Sequence, residues 1–273
     1  MSFEYISART VEEAVALAEP DTRYLAGGTD LLPKVRAGKY RVSRVIDIKG
    51  IPELGGICET QDRGLKIGAA VTLSEVARHE AVRSRFPLLA RCCLAIGAWP
   101  LRNRATLVGN VCNASPAADS APALLALDAS FVVVSRNGTR MVHCSNFFRG
   151  PGICAVAEGD LVAAVLVPGD AANIQGNYLR ISRRRGMDLA TVGVLVGRGP
   201  MGHRVCLAAV APVPLRVRDA EAALDAGKPN EAAAIARAAA SPITDLRGTA
   251  EYRREMVGVL VRRGAASLDA EQA

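Results

Sequence analysis

The sequence predicts an α+β fold in which two α/β units precede an antiparallel sheet covered by helices. In the 273-residue chain, helix-like and strand-like segments alternate up to about residue 170. Beyond this point three strand-like segments follow one another, at 178–182, 192–198 and 205–211, and then three helix-like segments, at 220–224, 231–240 and 252–263. Strands in succession followed by helices are typical of an α+β layer.

The first 50 residues indicate a small α/β unit. Thr10 and Glu13 have the spacing of a capping box and apolar residues follow at helical intervals, so a helix begins here. Predicted strands occupy 23–26 and 44–48. Between these strands, two glycines lead into a second helix near residue 31.

The middle of the chain continues this alternation. Thr72 begins a second capping box, and Asn137-Gly138 lies between two alternating segments, which is a strong hairpin pattern. The other elements predicted here are strands at 65–70, 130–136, 139–144 and 161–167 and helices at 88–96 and 121–129. The tail after Arg263 is small and polar, and we expect it to fray.

Composition and charge exclude several classes of protein. The chain has 34 basic and 27 acidic residues, a net charge of +7, which allows an anionic ligand or partner. Aromatic residues are only 4% of the chain, whereas proteins that stack nucleic-acid bases depend on them. None of the seven cysteines forms a Cys-x-x-Cys pair and the three histidines are scattered, so we expect no zinc or iron–sulfur cluster in this chain.

The sequence also predicts a cytoplasmic protein without a membrane span. The N-terminus lacks the features of a signal peptide, and the odd number of cysteines favours free thiols in a reducing compartment. No apolar run reaches the roughly 18 residues that a membrane-spanning helix needs.

Several familiar motifs are absent or misleading. Residues 197–202 match G-x-G-x-x-G, but Pro200 intervenes and a strand follows instead of a helix, which indicates a hairpin turn. The chain has no Walker A pattern and no G-x-S-x-G nucleophile motif, and its scattered histidines do not suggest a catalytic triad. Cys92 and Cys93 lie on an apolar helix face that is typical of a core.

A first polar segment, residues 25–32, is a candidate binding element. A predicted strand leads to Gly27 and Gly28, whose freedom to adopt positive φ lets successive backbone N–H groups converge on an anion. Thr29 adds a hydroxyl, and Asp30 lies near a helix N-terminus, where a carboxylate is favoured. A plain strand-to-helix turn capped by Asp30 explains the same pattern equally well.

A second polar segment, residues 102–119, mixes hydrogen-bonding side chains with small apolar ones. Its polar residues include Asn103, Thr106, Asn110, Asn113, Ser115 and Asp119. Such groups are costly to bury without partners, and a solvated loop would not carry so many alanines, valines and leucines. The pattern favours a lining that meets a polar ligand, and a long ordered loop is the alternative.

The densest positive charge in the chain is a group of four arginines, at positions 180, 183, 184 and 185. Guanidinium groups bind phosphates and carboxylates in a bidentate manner, so the group could attract a phosphate or an acidic partner. A solvated strand end is the alternative.

Taken together, these segments resemble the FAD-binding medium subunit of molybdenum-containing hydroxylases, the family of xanthine dehydrogenase and carbon monoxide dehydrogenase. The resemblance rests on LAGGTDLLPKVRAG, RNRATLVGNVCNASPAADSAPALLALDA, YLRISRRRGMDLATVGV and PITDLRGTAEYRREMVGVLVRR, which occur in family order up to about residue 263. It implies a two-lobed, PCMH-type FAD-binding domain, with lobes at 1–54 and 55–169, and a C-terminal domain at 170–273 with a three-stranded antiparallel sheet and helices.

The resemblance also implies a function. Substrate is oxidised at a molybdenum cofactor in a large subunit, and two [2Fe–2S] clusters in a small subunit carry electrons to the FAD of this chain, which passes them to an external acceptor. The expected assembly is a dimer of heterotrimers. Two other interpretations stay open, a stand-alone FAD-dependent oxidase or dehydrogenase and a basic nucleic-acid-binding module.

The family pattern assigns FAD contacts residue by residue. It places the diphosphate against the first polar segment. A second glycine-type loop is implied at residues 106–110, with the phosphate or ribitol region at Asn110 and the adenosine ribose near Asp119. An apolar flavin contact is implied at Val162, and the isoalloxazine near Arg180. No catalytic side chain and no metal ligand is expected. The full set is Leu25, Ala26, Gly27, Gly28, Thr29, Asp30, Leu31, Leu32, Thr106, Leu107, Val108, Gly109, Asn110, Ser115, Asp119, Val162 and Arg180.

The sequence departs from the family pattern at Val108, where relatives usually have glycine. Valine does not easily adopt positive φ. We therefore expect either ordinary extended backbone at this position or a loop displaced from the phosphates, with weaker FAD binding. Trp99-Pro100 also replaces a more polar pair.

Overall fold

The computed structural model describes residues 3–184 and 186–270. Its N-terminal lobe is a parallel sheet with strand order β1-β3-β2 and two helices. The elements are β1 (Glu4–Ser7), α1 (Val11–Ala16), β2 (Thr22–Leu25), α2 (Leu31–Arg36) and β3 (Arg44–Asp47). Strand β1 was not predicted. The Thr10 hydroxyl accepts from the Glu13 amide as expected, but the Glu13 carboxylate accepts from the Arg9 amide instead of closing the capping box.

The second lobe is an antiparallel sheet of order β4-β5-β10-β6-β7 with a group of helices. The capping box at Thr72 is complete, and β6 and β7 form the predicted hairpin around Asn137-Gly138. The elements are β4 (Ile57–Glu59), β5 (Leu65–Gly68), α3 (Leu73–Arg78), α4 (Glu80–Arg85), α5 (Pro87–Ala95), α6 (Trp99–Arg102), α7 (Leu107–Cys112), α8 (Ala121–Ala126), β6 (Ser130–Ser135), β7 (Gly138–His143), β8 (Phe148–Gly150), β9 (Ile153–Cys154) and β10 (Leu161–Val167).

The C-terminal domain contains the predicted antiparallel sheet and its helices. A two-residue strand extends the expected three strands to an order of β11-β12-β13-β14. The β12–β13 turn joins Gly199 to Gly202, which confirms that the G-x-G-x-x-G match is a hairpin. The elements are β11 (Gln175–Ile181), β12 (Val192–Gly199), β13 (Gly202–Ala208), β14 (Leu215–Arg216), α9 (Arg218–Asp225), α10 (Pro229–Ala239) and α11 (Ala250–Ala270).

The C-terminal sheet is buried on both faces, and this joins the domain to the rest of the molecule. Val194 and Val196 of β12 pack with α9–α11 in one apolar cluster, whereas Leu195, between them, belongs to the core of the two N-terminal lobes. Because successive strand residues point to opposite faces, a nearly continuous apolar strand is what a sheet buried on both sides requires.

The expectation of a frayed tail after Arg263 is wrong, because α11 continues to Ala270. A Cβ at Gly264 would lie 2.6 Å from a methyl group of Val196, so glycine lets the helix approach the sheet closely. Ala265 and Leu268 are buried beyond it. The small residues after Arg263, from which a frayed tail is expected, instead allow the helix to pack closely against the sheet. Among the described helices none is long and apolar enough to cross a membrane.

Candidate functional site

A cleft of about 620 Å³ lies where the two lobes and the C-terminal domain meet. Residues from both polar segments line it, together with Arg183, Arg184, Met187, Asp188, Leu189 and Arg247 of the C-terminal domain. Its size falls within the roughly 300–1,000 Å³ of small-molecule and cofactor sites. The two segments selected from sequence are therefore the two walls of one site.

The two polar segments touch each other at Gly27. A Cβ at this position would lie 2.1 Å from the carbonyl oxygen of Arg104 and 2.8 Å from the Cα of Ala105, so no larger residue fits without moving a backbone. The next residue, Gly28, has φ of +71°, a left-handed conformation that favours glycine. The glycine pair therefore allows close contact between the segments and turns the chain from β2 into α2.

The second polar segment does not form a glycine-type loop over its residues 106–110, because α7 begins there. The Thr106 hydroxyl caps this helix by accepting from the Gly109 amide at 3.0 Å. Before it, the Ala105 carbonyl accepts from the Leu73 amide at 2.8 Å and ties the segment to α3. The Asn110 side-chain oxygen accepts from the Ser120 hydroxyl at 2.6 Å. Thr106, Gly109 and Asn110 all line the cleft.

Val108 occupies a position that suits valine. It lies in the first turn of α7, is not among the described residues with positive φ, and is 4% exposed within the main apolar core. The backbone here is helical and not extended, and the side chain points away from the cleft. The structural reason for expecting weaker FAD binding is therefore absent.

Asp119 is a buried carboxylate on the wall of the cleft, just before α8 begins. It accepts hydrogen bonds from the Tyr178 hydroxyl at 2.7 Å and from Arg180 at 3.2 Å. Burial raises the pKa of Asp119 to about 6, and these two partners oppose the rise. The carboxylate is thus held in place from the C-terminal sheet.

Arg180 lies behind the wall of the cleft instead of lining it. Its guanidinium donates to the Ala95 carbonyl at 2.7 Å, to Asp119 and to the Asp188 carbonyl. It therefore joins α5, the second polar segment and the loop after β11. Arg183 and Arg184 of the same arginine group do line the cleft, and Arg185 lies outside the described residues.

The cleft gathers most of the residues assigned from the family pattern. Eleven line it, namely Ala26, Gly27, Gly28, Thr29, Asp30, Leu31, Thr106, Gly109, Asn110, Ser115 and Asp119. The other six do not line it. Arg180 lies behind the wall, Leu32 is 40% exposed, and the remaining four are buried side chains, namely Leu25, Leu107, Val108 and Val162. All seventeen assignments to FAD stay predictions.

Sequence reasoning missed several lining residues, including Lys34, Tyr40, Ile96, Leu101 and Arg247. Lys34 follows Asp30 by one helical turn, so extending the first polar segment along α2 would have found it. Nothing local marks Arg247, which is more than a hundred residues from either polar segment.

The cysteines of this region are free thiols. Cys92 and Cys93 are fully buried, as predicted, and burial raises the pKa of both. In the described part of the chain no three His, Cys, Asp or Glu side chains are grouped as a metal site would require.

Comparison with known families accounts for nearly the whole chain. Residues 1–170 match the family described as the FAD binding domain in molybdopterin dehydrogenase. Residues 177–268 match the CO dehydrogenase flavoprotein C-terminal domain. The boundary between lobes at 54 and the start of the last domain at 170 stay predictions.

Proteins of similar sequence and structure match this chain over nearly its whole length and theirs. The carbon monoxide dehydrogenase medium chain of Hydrogenophaga pseudoflava is 34% identical over 96% of this chain and 95% of its own length. The glyceraldehyde dehydrogenase medium chain of Sulfolobus acidocaldarius is 30% identical over 96% of both chains. A solved carbon monoxide dehydrogenase structure from H. pseudoflava superposes with a TM-score of 0.91 and 35% identity, over 97% of this chain and 96% of that one.

Proposed function

Since this chain belongs to the family of FAD-binding medium subunits of molybdenum hydroxylases, an oxidoreductase family, we propose that it is the electron-transfer subunit of such a complex. FAD, when bound, supplies the redox chemistry that takes electrons from two [2Fe–2S] clusters of a small subunit and delivers them to an external acceptor. Oxidation of the substrate takes place at a molybdenum cofactor in a large subunit.

The single observation that supports this function most is the cleft itself. Two polar segments form its walls, and they meet at Gly27. A Cβ at this position would collide with the backbone of the second segment, so the close contact requires glycine. Backbone N–H groups around Gly27, Gly28 and Thr29 are suited to a diphosphate. The polar side chains of the second segment are suited to ribose and ribitol hydroxyls, and Ile96 and Leu101 offer an apolar surface to a ring system. These residues fit FAD.

In this function the chain binds and orients its cofactor without a side-chain acid or base. Burial raises the pKa of Asp119 on the cleft wall, and Tyr178 and Arg180 fix the position of its carboxylate. With a pKa of about 6 it is mostly ionised at neutral pH, so it accepts hydrogen bonds from a ligand hydroxyl. Arg180, through Ala95 and Asp188, holds the surrounding wall.

The proposed partners are a large molybdenum-cofactor subunit and a small [2Fe–2S] subunit, assembled as a cytoplasmic dimer of heterotrimers. Full-length similarity to proteins named medium chains supports a multi-subunit assembly. The structure of a related carbon monoxide dehydrogenase is described as a Cu,Mo enzyme, which supports molybdenum in the complex.

Purification of the tagged chain from its native host tests the proposal. We expect a flavin absorbance spectrum, FAD as the flavin released on denaturation, and co-purification of two subunits that contain molybdenum and iron. A chain that takes up no flavin would contradict the proposal, and binding of nucleic acid instead would favour the basic module. A flavoprotein that oxidises a substrate without any partner would establish the stand-alone enzyme instead.

A further inference from the structure

Lys34 connects the two walls of the cleft. It lies on α2, one turn after Asp30, and lines the cleft. Its ammonium donates to the side-chain oxygen of Asn113, in the second polar segment, and to the Tyr40 hydroxyl at 3.2 Å. It also lies 5.3 Å from the centre of the Tyr40 ring. These contacts fix the direction of a side chain that is usually mobile.

The charge of Lys34 is not balanced by a carboxylate in the described part of the chain. Both of its hydrogen-bond partners are neutral, and no Asp or Glu oxygen described here lies within 4.0 Å of its nitrogen. By contrast, Arg247 pairs with Asp245 at 3.1 Å and Arg184 approaches Asp188 at 3.8 Å. A half-buried, unpaired cation is costly unless a ligand supplies the opposite charge.

The ligand of the proposed function supplies that charge. A dinucleotide carries two negative charges on its diphosphate, and the glycine turn beside α2 presents backbone N–H groups that are suited to the same group. Backbone amides give hydrogen bonds but no net charge, whereas an ammonium gives both. Lys34 lines the same cleft as the glycine turn and is fixed by Asn113 of the opposite wall, so it can supply the cation that a diphosphate at that turn needs.

We propose that Lys34 is the cation that pairs with the diphosphate of FAD in this cleft. The assignment rests on the proposed function and adds to it a residue and an electrostatic contribution to affinity. The competing explanation is purely structural, in which Lys34 only ties Asn113 to Tyr40.

Salt dependence of FAD binding distinguishes the two explanations. The full chain, freed of flavin, is titrated with FAD at low and high ionic strength, and dissociation constants are compared for wild type, Lys34→Gln and Lys34→Arg. Lys39→Gln is the matched control, because Lys39 is exposed and does not line the cleft. At low salt we expect about ten-fold weaker binding for Lys34→Gln, the range of one charge-assisted hydrogen bond, and near wild-type binding for Lys34→Arg and Lys39→Gln.

The difference between wild type and Lys34→Gln must shrink as salt rises, because screening weakens a charge pair. A loss of affinity that is the same at both ionic strengths, or that Lys34→Arg fails to restore, would show the structural role and overturn the assignment. Equal affinity of Lys34→Gln and wild type would overturn it as well. If wild type itself bound no FAD, the proposed function would fail, and the assignment with it.

Discussion

Replacement of Gly27 by alanine tests whether contact between the two polar segments sets the geometry of the cleft. The added methyl group would lie 2.1 Å from the Arg104 carbonyl oxygen, whereas ordinary contact begins near 3.4 Å. The obstacle is backbone on both sides, so the segments must separate by about 1 Å, and overpacking of this kind costs about 1–3 kcal/mol of unfolding free energy. A displacement of that size is expected to weaken FAD binding at least ten-fold, since sites tolerate only about 0.5 Å.

The measurement is FAD titration of the flavin-free chain, followed by flavin fluorescence, with chemical denaturation in parallel. Gly50→Ala is the matched control in the same lobe, because a Cβ there meets nothing within 4 Å and φ is not positive. We expect Gly50→Ala to bind FAD and unfold as wild type does. If Gly27→Ala bound FAD as tightly as Gly50→Ala, the contact between the segments would not control the site.

Three further predictions follow from burial and charge. Val108→Gly is expected to lower the unfolding free energy by about 2–4 kcal/mol without tightening FAD binding, because it removes a core side chain from a helix; tighter binding would show that Val108 does obstruct the cleft. The pKa of Asp119 rises from 3.8 to about 6 on folding, so its contribution to stability is present below about pH 4 and lost as pH rises through 6. The loss amounts to about 3 kcal/mol. Denaturation of Asp119→Asn across this range should show a correspondingly flatter pH dependence, and an unchanged slope would contradict the raised pKa. Leu268→Ala is expected to cost about 2 kcal/mol by thermal or chemical unfolding, whereas Leu246→Ala, at 77% exposure, should be neutral; equal effects would argue against a packed C-terminus.

The fold could be predicted from sequence wherever local chemistry decides the structure. The capping residues Thr10 and Thr72 and the Asn137-Gly138 hairpin each act within a few residues. Leu268 shows where this fails. Its burial depends on a contact between α11 and β12 that Gly264 permits, some seventy residues away along the chain. No local pattern distinguishes a glycine that packs against a distant strand from a glycine in a frayed terminus.

For the site too, local sequence predicts some features and tertiary contacts decide the others. Many hydrogen-bonding groups among small residues predict a polar lining in both segments, and residues of both segments do line the cleft. The direction of individual side chains was not predictable, because it depends on tertiary contacts. The family pattern implies a loop at Val108, whereas the Thr106 cap makes its backbone helical. The assignment of Arg180 to the isoalloxazine stays a prediction, and no local pattern reveals that its guanidinium donates to the carbonyls of Ala95 and Asp188.

The C-terminal domain is part of the site because it supports the second polar segment from behind. The Ala209 amide donates to the Pro116 carbonyl at 2.7 Å, and Arg253, itself buried, donates to the Ala209 carbonyl at 3.1 Å. Tyr178 and Arg180 hold Asp119 from the same sheet. The residues of this wall are part of the FAD-binding lobes, but hydrogen bonds from the C-terminal domain hold them in place. A sheet buried on both faces provides a rigid support for that wall, and this accounts for the position of a domain that contributes few of the residues assigned to the cofactor.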